Sequence, residues 1–224
     1  ALRQRQDEAA TLLMDLDLQY GNLPLYLDES STTRLSQALI ARERVDATLL
    51  DACLIRQADG IDVLASHSDQ VFSAWDIPQQ TVSNLLNLIS DRYRHVLVDI
   101  PRQIDPISFQ AIERATNVRI VMQQTLSDLR YARQIVGLLR DQGIPNERLG
   151  IVVNRHDKRN VVRTIDVSDA FDGLSVTTLP NDYRNMSYAT ENAVSLFGKA
   201  RGKPVAKGIL ALADELFPLP DAPT

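Results

Sequence analysis

Residues 78–100 read PQQTVSNLLNLISDRYRHVLVDI, which combines an amphipathic helix with the strand that follows it. Aliphatic side chains recur in the first part at the spacing of one helix face: Val82, Leu85, Leu86 and Ile89. Pro78 suits the first turn of a helix. The apolar run at 95–100 is typical of a buried strand. This stretch therefore predicts a helix that leads directly into a strand.

The same alternation continues along the chain. Apolar runs predict further strands at 11–16, 61–65, 118–122, 149–153 and 174–179. Helical patterns occupy 1–10, 32–41, 45–56, 105–115, 127–140, 166–171, 186–192 and 205–216, with Asp105 and Ser127 as expected N-caps. The alternation predicts an α/β fold, a mostly parallel sheet with helices on both faces. No linker divides the chain, so we expect one domain over 1–216 and a proline-rich tail at 217–224.

Composition excludes several classes of protein. The chain has 224 residues, of which 44% are hydrophobic and 24% charged, and this balance argues against a largely disordered chain. The net charge of −5 gives no strong nucleic-acid signal, and the arginine-rich stretches are interpreted as solvated surface. Neither a membrane-spanning run nor a signal peptide is visible. A single cysteine, Cys53, lies in an apolar stretch, which favours a buried thiol and a reducing, cytoplasmic location.

Polar residues follow the predicted strands, where ligands of such sheets bind. Asp15 and Asp17 stand at the end of the first strand, and Asp99 stands at the end of the strand at 95–100. Asn154 and the segment 180–182 come after two later strands. A lone Asp most often caps a helix or a turn, a role that fits Asp105 and Asp182 well. It fits Asp99 less well because the chain breaks at Pro101, and a strand-end carboxylate beside a phosphate suits Mg²⁺.

The sequence contains no glycine-rich phosphate loop between a strand and a helix. The first glycine is Gly21, and no Gly-x-x-x-x-Gly-Lys-[Ser/Thr] motif is present. Residues 198–204 imitate that motif, but its spacing is one residue short and Pro204 replaces the hydroxyl residue. Phosphate binding therefore has no support from a loop within these residues.

Four strand-end motifs nevertheless occur in a familiar order: LMDLDLQYGN at 13–22, HVLVDIP at 95–101, VVNR at 152–155 and LPND at 179–182. Together they resemble the MinD/ParA family of deviant Walker ATPases, which are P-loop NTPases. The segments DIPRQ at 99–103 and LSDLR at 126–130 resemble the TadZ/CpaE pilus-assembly branch of that family. The resemblance covers about residues 1–216.

The resemblance implies a role for each matching residue. Asp17 matches the carboxylate that orients the attacking water, and Asp99 matches the aspartate that holds Mg²⁺, usually through water. Asn154 matches the amide that recognises the adenine edge, while Pro180 and Asp182 match the loop beside the base. The implied cofactors are ATP and Mg²⁺.

The chain departs from the family in two places. The family's phosphate loop and the strand before it are absent, so we expect them upstream of Ala1, with residues 1–10 as the end of the following helix. In this branch an N-terminal receiver-like domain is also expected there. Many relatives have glycine two residues after the switch II proline, where its N–H meets the γ-phosphate. Gln103 stands at that position here, which puts efficient hydrolysis in doubt.

The resemblance predicts a nucleotide-dependent switch, weakly active as an ATPase, that forms a homodimer. In the TadZ/CpaE branch such a switch positions a Flp/Tad-type pilus assembly or secretion machine at the cell pole. Two alternatives remain, a ParA-type DNA-partitioning ATPase and a scaffold that has lost ATP hydrolysis. A MinD-style membrane anchor is not expected, because residues 217–224 are proline-rich and acidic.

Overall fold

A computed structural model describes residues 11–18, 20–21, 23, 35, 39, 45–57, 60–65, 75 and 77–218. The chain forms two compact units that divide between Arg114 and Ala115, and each is described separately. The helix expected at 1–10 lies outside the described residues, as does most of the tail at 217–224. Of the helix expected at 32–41, only Leu35 and Leu39 are described, and both are helical. The single domain over 1–216 stays a prediction.

The first unit is built around a four-stranded sheet. Its elements are β1 (Thr11–Asp15), α1 (Ala47–Cys53), β2 (Ile55–Arg56), β3 (Ile61–Leu64), α2 (Gln79–Arg92), β4 (His95–Asp99) and α3 (Pro106–Arg114). The strand order is β2-β3-β1-β4. β1 pairs in parallel with β3 and β4, whereas the short β2 pairs antiparallel with β3. The carboxyl ends of β1 and β4 therefore lie side by side.

The core of this unit forms where helices pack on β1. Leu12 and Met14 of β1 are completely buried, and the apolar face of α2 contributes Leu85 and Ile89 to the same cluster. Cys53 is buried there too, as the sequence predicts, and this burial raises the pKa of its thiol. Burial of apolar side chains against the central strand stabilises the sheet and fixes the position of its strand ends.

The second unit contains a three-stranded parallel sheet. Its elements are β5 (Val118–Met122), α4 (Leu126–Asp141), β6 (Leu149–His156), α5 (Thr164–Ala170), β7 (Ser175–Pro180), α6 (Tyr183–Glu191), α7 (Leu196–Lys199) and α8 (Pro204–Leu216). The strand order is β5-β6-β7, and both pairs are parallel.

The predicted fold class, a mostly parallel sheet flanked by helices, is confirmed. No helix among the described residues is long and apolar enough to cross a membrane.

Several predicted boundaries are wrong. The helix expected at 45–56 ends at Cys53, because Ile55 and Arg56 pair with β3. The strand expected at 149–153 continues to His156 through an irregularity in its pairing with β7. The strand at 95–100 is only partly buried: Leu97 is 39% exposed, and among the described residues β4 pairs with β1 alone.

The predicted N-caps met different outcomes. Asp105 caps α3 as expected, since its Oδ1 accepts a hydrogen bond from the Ser108 N–H at 2.7 Å. The expected cap of α4, Ser127, lies inside that helix instead. Thr125 is the cap, and its hydroxyl oxygen accepts a hydrogen bond from the Asp128 N–H at 3.1 Å. Both residues carry a hydroxyl suited to capping, and the helix begins at the earlier one.

Candidate functional site

Three carboxylates lie at the carboxyl ends of β1 and β4. Asp15 is the last residue of β1 and pairs in register with Asp99, the last residue of β4. The Leu16 N–H donates to the Asp99 carbonyl at 2.8 Å, which continues the pairing one step past the strands. Asp17 follows two residues later and is partly buried. The structure thus places the predicted catalytic and metal residues, Asp17 and Asp99, at one edge of the sheet.

Asp15 organises the loop that carries Asp17. Its side chain has no solvent exposure. Its Oδ1 accepts from the Asp17 N–H at 2.9 Å, and its Oδ2 accepts from the Leu23 N–H at 3.3 Å. One buried carboxylate therefore holds both ends of the turn after β1.

The turn itself is tight around Asp17. The Tyr20 N–H donates to Asp17 Oδ1 and the Gly21 N–H donates to the Asp17 carbonyl, both at 2.9 Å. A Cβ atom at position 21 would overlap Asp15 Oδ2 and the Asp17 carbonyl oxygen, so the turn requires glycine there. These contacts restrict the orientation of the Asp17 carboxylate while leaving it partly accessible.

Two of the acids at this edge, Asp15 and Asp99, have a raised pKa. Burial raises the pKa of Asp15 to about 6, and the charges of Asp99 and Asp17 add to the effect, against the two N–H donors that lower it. Partial loss of hydration at the strand end, followed by the charge of Asp17, raises the pKa of Asp99, although its side chain remains accessible to solvent. Carboxylates grouped in this way favour a bound cation, so the electrostatics fit Mg²⁺.

The carboxylates at this edge suit a metal ion that is also coordinated by water and by a bound phosphate, rather than one coordinated by protein side chains alone. Within the described residues, no group of three or more His, Cys, Asp or Glu side chains could hold a metal ion. Mg²⁺ commonly keeps several waters and takes one or two carboxylates together with substrate phosphates. Asp99, which is exposed at the end of β4, fits that limited role.

Gln103 lies in the loop between β4 and α3, four residues after Asp99. Its side chain is exposed, and Asp105 ends the loop by capping α3. The position agrees with a residue that could approach a ligand above the strand ends. Whether it contacts a nucleotide stays a prediction.

A second group of predicted site residues lies in the other unit, at the ends of β6 and β7. The pairing of these strands is irregular between Val153 and His156, and His156 then pairs with Pro180. The irregularity contains Asn154 and Arg155, and Arg155 adopts the left-handed conformation at φ 52°. Asn154 Oδ1 accepts a hydrogen bond from the Arg155 N–H at 2.9 Å. The structure thus places Asn154 and Pro180 at one edge.

Asp182 is the N-cap of α6. Its Oδ1 accepts from the Asn185 N–H at 3.3 Å, and the Asn185 side-chain amide donates to its two oxygens at 2.9 and 2.8 Å. These bonds agree with the capping role that the sequence favours for this residue. Its place in the loop beside the base stays a prediction.

A cleft of about 410 Å³ runs along α6 and α7 in this unit. Side chains of these two helices line it, among them Tyr183, Tyr188 and Leu196. Asn154 and Pro180 are not part of its lining. The cleft is therefore distinct from the edge where the base-contacting residues are predicted.

Gln124 is a candidate site residue that the sequence patterns did not single out. It follows β5 by two residues and is only 5% exposed. Its Nε2 donates to the Val162 carbonyl and its Oε1 accepts from the Asp157 N–H, both at 2.8 Å. The available signal was its position two residues after a strand, which is also the position of Asp17 relative to β1.

Comparison with solved structures identifies the class of fold. The chain has the fold of the MinD/ParA ATPases. The ParA family ATPase from Chlorobium tepidum superposes with a TM-score of 0.81 over 95% of this chain and 88% of that one, at 23% identity. MinD from Pyrococcus horikoshii, solved as a complex with Mg-ADP, gives a TM-score of 0.76 over 94% of this chain and 84% of that one, at 16% identity.

Sequence comparison agrees with this fold. The septum site-determining protein MinD of Guillardia theta is 26% identical over 183 residues, which are 76% of this chain and 61% of that protein. This chain thus spans about three fifths of the length of that relative. No family model matches the chain.

Proposed function

We propose that this chain acts in a nucleotide-dependent ATPase switch of the MinD/ParA kind. The observation that carries the proposal is the pairing of Asp15 with Asp99 at the carboxyl edge of a parallel sheet, with Asp17 on the next turn. The shared fold supports it, as does the Mg-ADP bound to the MinD of Pyrococcus horikoshii. Together they favour a phosphate and metal site at this edge.

Asp99 would hold the metal ion of Mg-ATP through a water molecule, as the resemblance implies. A bound Mg²⁺ supplies positive charge that offsets the charge of the phosphates. Asp99 suits this task because it is exposed, ends a strand, and has neighbouring acids that favour a cation. Asp15 is buried and engaged by two N–H groups, so its task is to shape the turn.

Asp17 would orient the attacking water in hydrolysis. The Tyr20 N–H fixes one carboxylate oxygen, and the Gly21 bond to the Asp17 carbonyl closes the turn beneath it. A carboxylate held in this way can accept a proton or a hydrogen bond from water without first reorienting. Gln103 in place of glycine suggests that hydrolysis is slow.

Asn154 and the backbone at Pro180 would contact the adenine base. The Asn154 amide offers one acceptor and two donors, which matches the adjacent donor and acceptor on an adenine edge. Asp182 would act by starting α6 directly after Pro180. This assignment is independent of the roles proposed for Asp17 and Asp99, so an experiment can contradict one without the other.

The switch would form a nucleotide-bridged homodimer through its strand-end face. By resemblance to the TadZ/CpaE branch, the dimer would position a Flp/Tad-type pilus assembly or secretion machine at the cell pole, in the cytoplasm. The motifs at 99–103 and 126–130 support this branch. Its partners would be proteins of that machine.

A ParA-type DNA-partitioning ATPase is the second candidate. The observation in its favour is the likeness to the ParA family ATPase of Chlorobium tepidum. Nonspecific DNA binding rests on phosphate contacts and weakens steeply with salt. A strong, salt-sensitive affinity for random duplex DNA in the presence of ATP would therefore favour this candidate.

The proposed function is tested by nucleotide binding to the protein expressed from its complete gene. Titration with a fluorescent ATP analogue, with and without Mg²⁺, should show saturable binding that depends on the metal. Unlabelled ATP should compete with the analogue, while AMP should not. Absence of metal-dependent binding would contradict the proposal and leave a scaffold that has lost the chemistry.

A further inference from the structure

Gln124, two residues after β5, is hydrogen-bonded to both ends of the loop 157–162, which follows β6. Its amide group spans two backbone positions of that loop, the Asp157 N–H and the Val162 carbonyl, at 2.8 Å each. A glutamine that is 95% buried and satisfied at both ends of its amide is costly to replace. The loop between the two contact points is therefore held from inside the unit.

The loop that Gln124 holds begins at Asp157, three residues after the predicted base-contacting residue Asn154. Asn154 is followed by Arg155, whose left-handed backbone at φ 52° is strained for a residue other than glycine. Such a conformation persists only where the surroundings impose it. Gln124 binds the Asp157 N–H two residues further on, and His156 Nε2 lies 2.9 Å from Thr164 Oγ1. These contacts restrain the chain on the far side of Arg155.

The orientation of the Asn154 amide depends on this strained residue. The Arg155 N–H donates to Asn154 Oδ1 at 2.9 Å, which determines where the oxygen and the NH₂ group of the amide lie. If the chain relaxed at Arg155, its N–H would turn away and the amide could rotate. A freely rotating amide presents donor and acceptor without a defined order.

We infer that Gln124 is a positioning residue for base selectivity, acting through the loop that it fastens and through Asn154. The inference rests on the proposed function, in which Asn154 contacts the base. Adenine offers a donor and an acceptor side by side on its N6/N7 edge, whereas guanine offers two acceptors there. An amide of fixed orientation matches adenine, while a rotating amide can donate to guanine as well.

The test compares Mg-ATP and Mg-GTP affinities of the complete protein and three variants. Gln124→Met keeps the approximate size of the side chain and removes both hydrogen bonds. Gln124→Glu keeps the acceptor and loses the donor to Val162. The matched control is Gln123→Glu, the same chemical change at the exposed neighbouring side chain.

We expect Gln124→Met to lower the ATP-over-GTP preference about tenfold, mainly through weaker ATP binding, since one amide–base pair carries discrimination of this order. Gln124→Glu should shift the ratio in the same direction, and Gln123→Glu should leave it unchanged. Trypsin should also cleave after Lys158 and Arg159 faster in Gln124→Met than in the control, because the loop is released.

Equal weakening of both nucleotides in Gln124→Met would mean a purely structural role and would overturn the inference. An unchanged ratio would overturn it as well, as would unchanged trypsin cleavage. If the wild-type protein binds neither nucleotide, the proposed function fails and the inference fails with it. A wild type that prefers ATP, together with equal losses in the variant, overturns the inference alone.

Discussion

At the scale of single residues, Asp15 and Asp17 divide the work of one turn. Asp15 is completely buried, and two backbone N–H groups engage it. Asp17 is partly accessible and has one oxygen fixed by Tyr20. Burial of Asp15 disfavours its charged form, so this carboxylate makes folding sensitive to pH.

The pH dependence of Asp15 can be measured against its amide variant. The folded protein holds the Asp15 proton with a pKa of about 6, above the 3.8 of an ordinary aspartate. The folded state therefore binds the proton more tightly, and this advantage is lost as the pH rises from about 4 through 6. Relative to Asp15→Asn, the wild-type free energy of unfolding should fall by about 2–3 kcal/mol over this range.

Urea unfolding of the nucleotide-free proteins at several pH values measures this difference. Asp157→Asn is a control of opposite sign: contacts with Arg159, chiefly its backbone N–H, lower the pKa of Asp157. The wild type should gain stability over Asp157→Asn as the pH rises. This gain should occur below the ordinary aspartate pKa of 3.8, and so at lower pH than the change expected for Asp15. A wild-type stability relative to Asp15→Asn that is constant or rises with pH would contradict the account of Asp15.

Gly21 is the second residue whose identity the turn requires. In Gly21→Ala the new methyl group would overlap Asp15 Oδ2 and the Asp17 carbonyl, neither of which can move cheaply. We expect a loss of about 1–3 kcal/mol in the free energy of unfolding. Gly137→Ala is the matched control, because nothing lies within 4 Å of a Cβ there and the residue is inside α4. That control should stabilise by about 0.5–1 kcal/mol. Equal effects in the two variants would contradict the overlap.

At the scale of elements, α4 shows how a cap sets the start of a helix. The Thr125 hydroxyl oxygen accepts from the Asp128 N–H, and the Thr125 and Ser127 hydroxyl oxygens lie 3.0 Å apart. Thr125→Ala should cost about 1 kcal/mol of unfolding free energy, while Ser127→Ala should cost clearly less. Thermal unfolding of both variants provides the measurement. A larger loss in Ser127→Ala would restore Ser127 as the functional cap.

The order and type of most described elements could be predicted from the sequence, because burial leaves a periodic pattern. The strand at 118–122 and the helix that follows Pro78 are clear cases. The short β2 could not be predicted, since Ile55 and Arg56 have no pattern of their own and are strands only through pairing with β3. The bulge at Asn154 and Arg155 likewise depends on β7.

The candidate site was predictable where a residue ends a strand and resembles a known motif. Asp99 meets both conditions as the last residue of β4, whereas Asp17 lies two residues beyond β1 and Asn154 lies inside β6, at its irregular pairing with β7. Gln124 could not be found in this way, because its importance comes from two backbone groups more than thirty residues away in sequence. Such partners are visible only in the folded unit.

At the scale of the whole molecule, the proposed switch requires assembly that responds to nucleotide. A ligand that bridges two subunits binds the dimer preferentially and shifts the equilibrium toward it. Sedimentation of the complete protein should show a monomer without nucleotide and a dimer with Mg-ATP. ADP is the control and should leave most of the protein monomeric. A monomer at micromolar concentration under all conditions would contradict the proposed dimer.

The central claim is the division of roles between Asp17 and Asp99, and one paired measurement tests it most directly. Mg-ATP affinity and single-turnover hydrolysis are compared in the complete wild-type protein, Asp17→Asn and Asp99→Ala. Asp99→Ala should weaken Mg-ATP binding itself. Asp17→Asn should leave binding nearly intact and slow hydrolysis by about 10²-fold or more, because its role is confined to the transition state. Equal loss of affinity in both variants would contradict the account and make both acids parts of one metal site or structural turns.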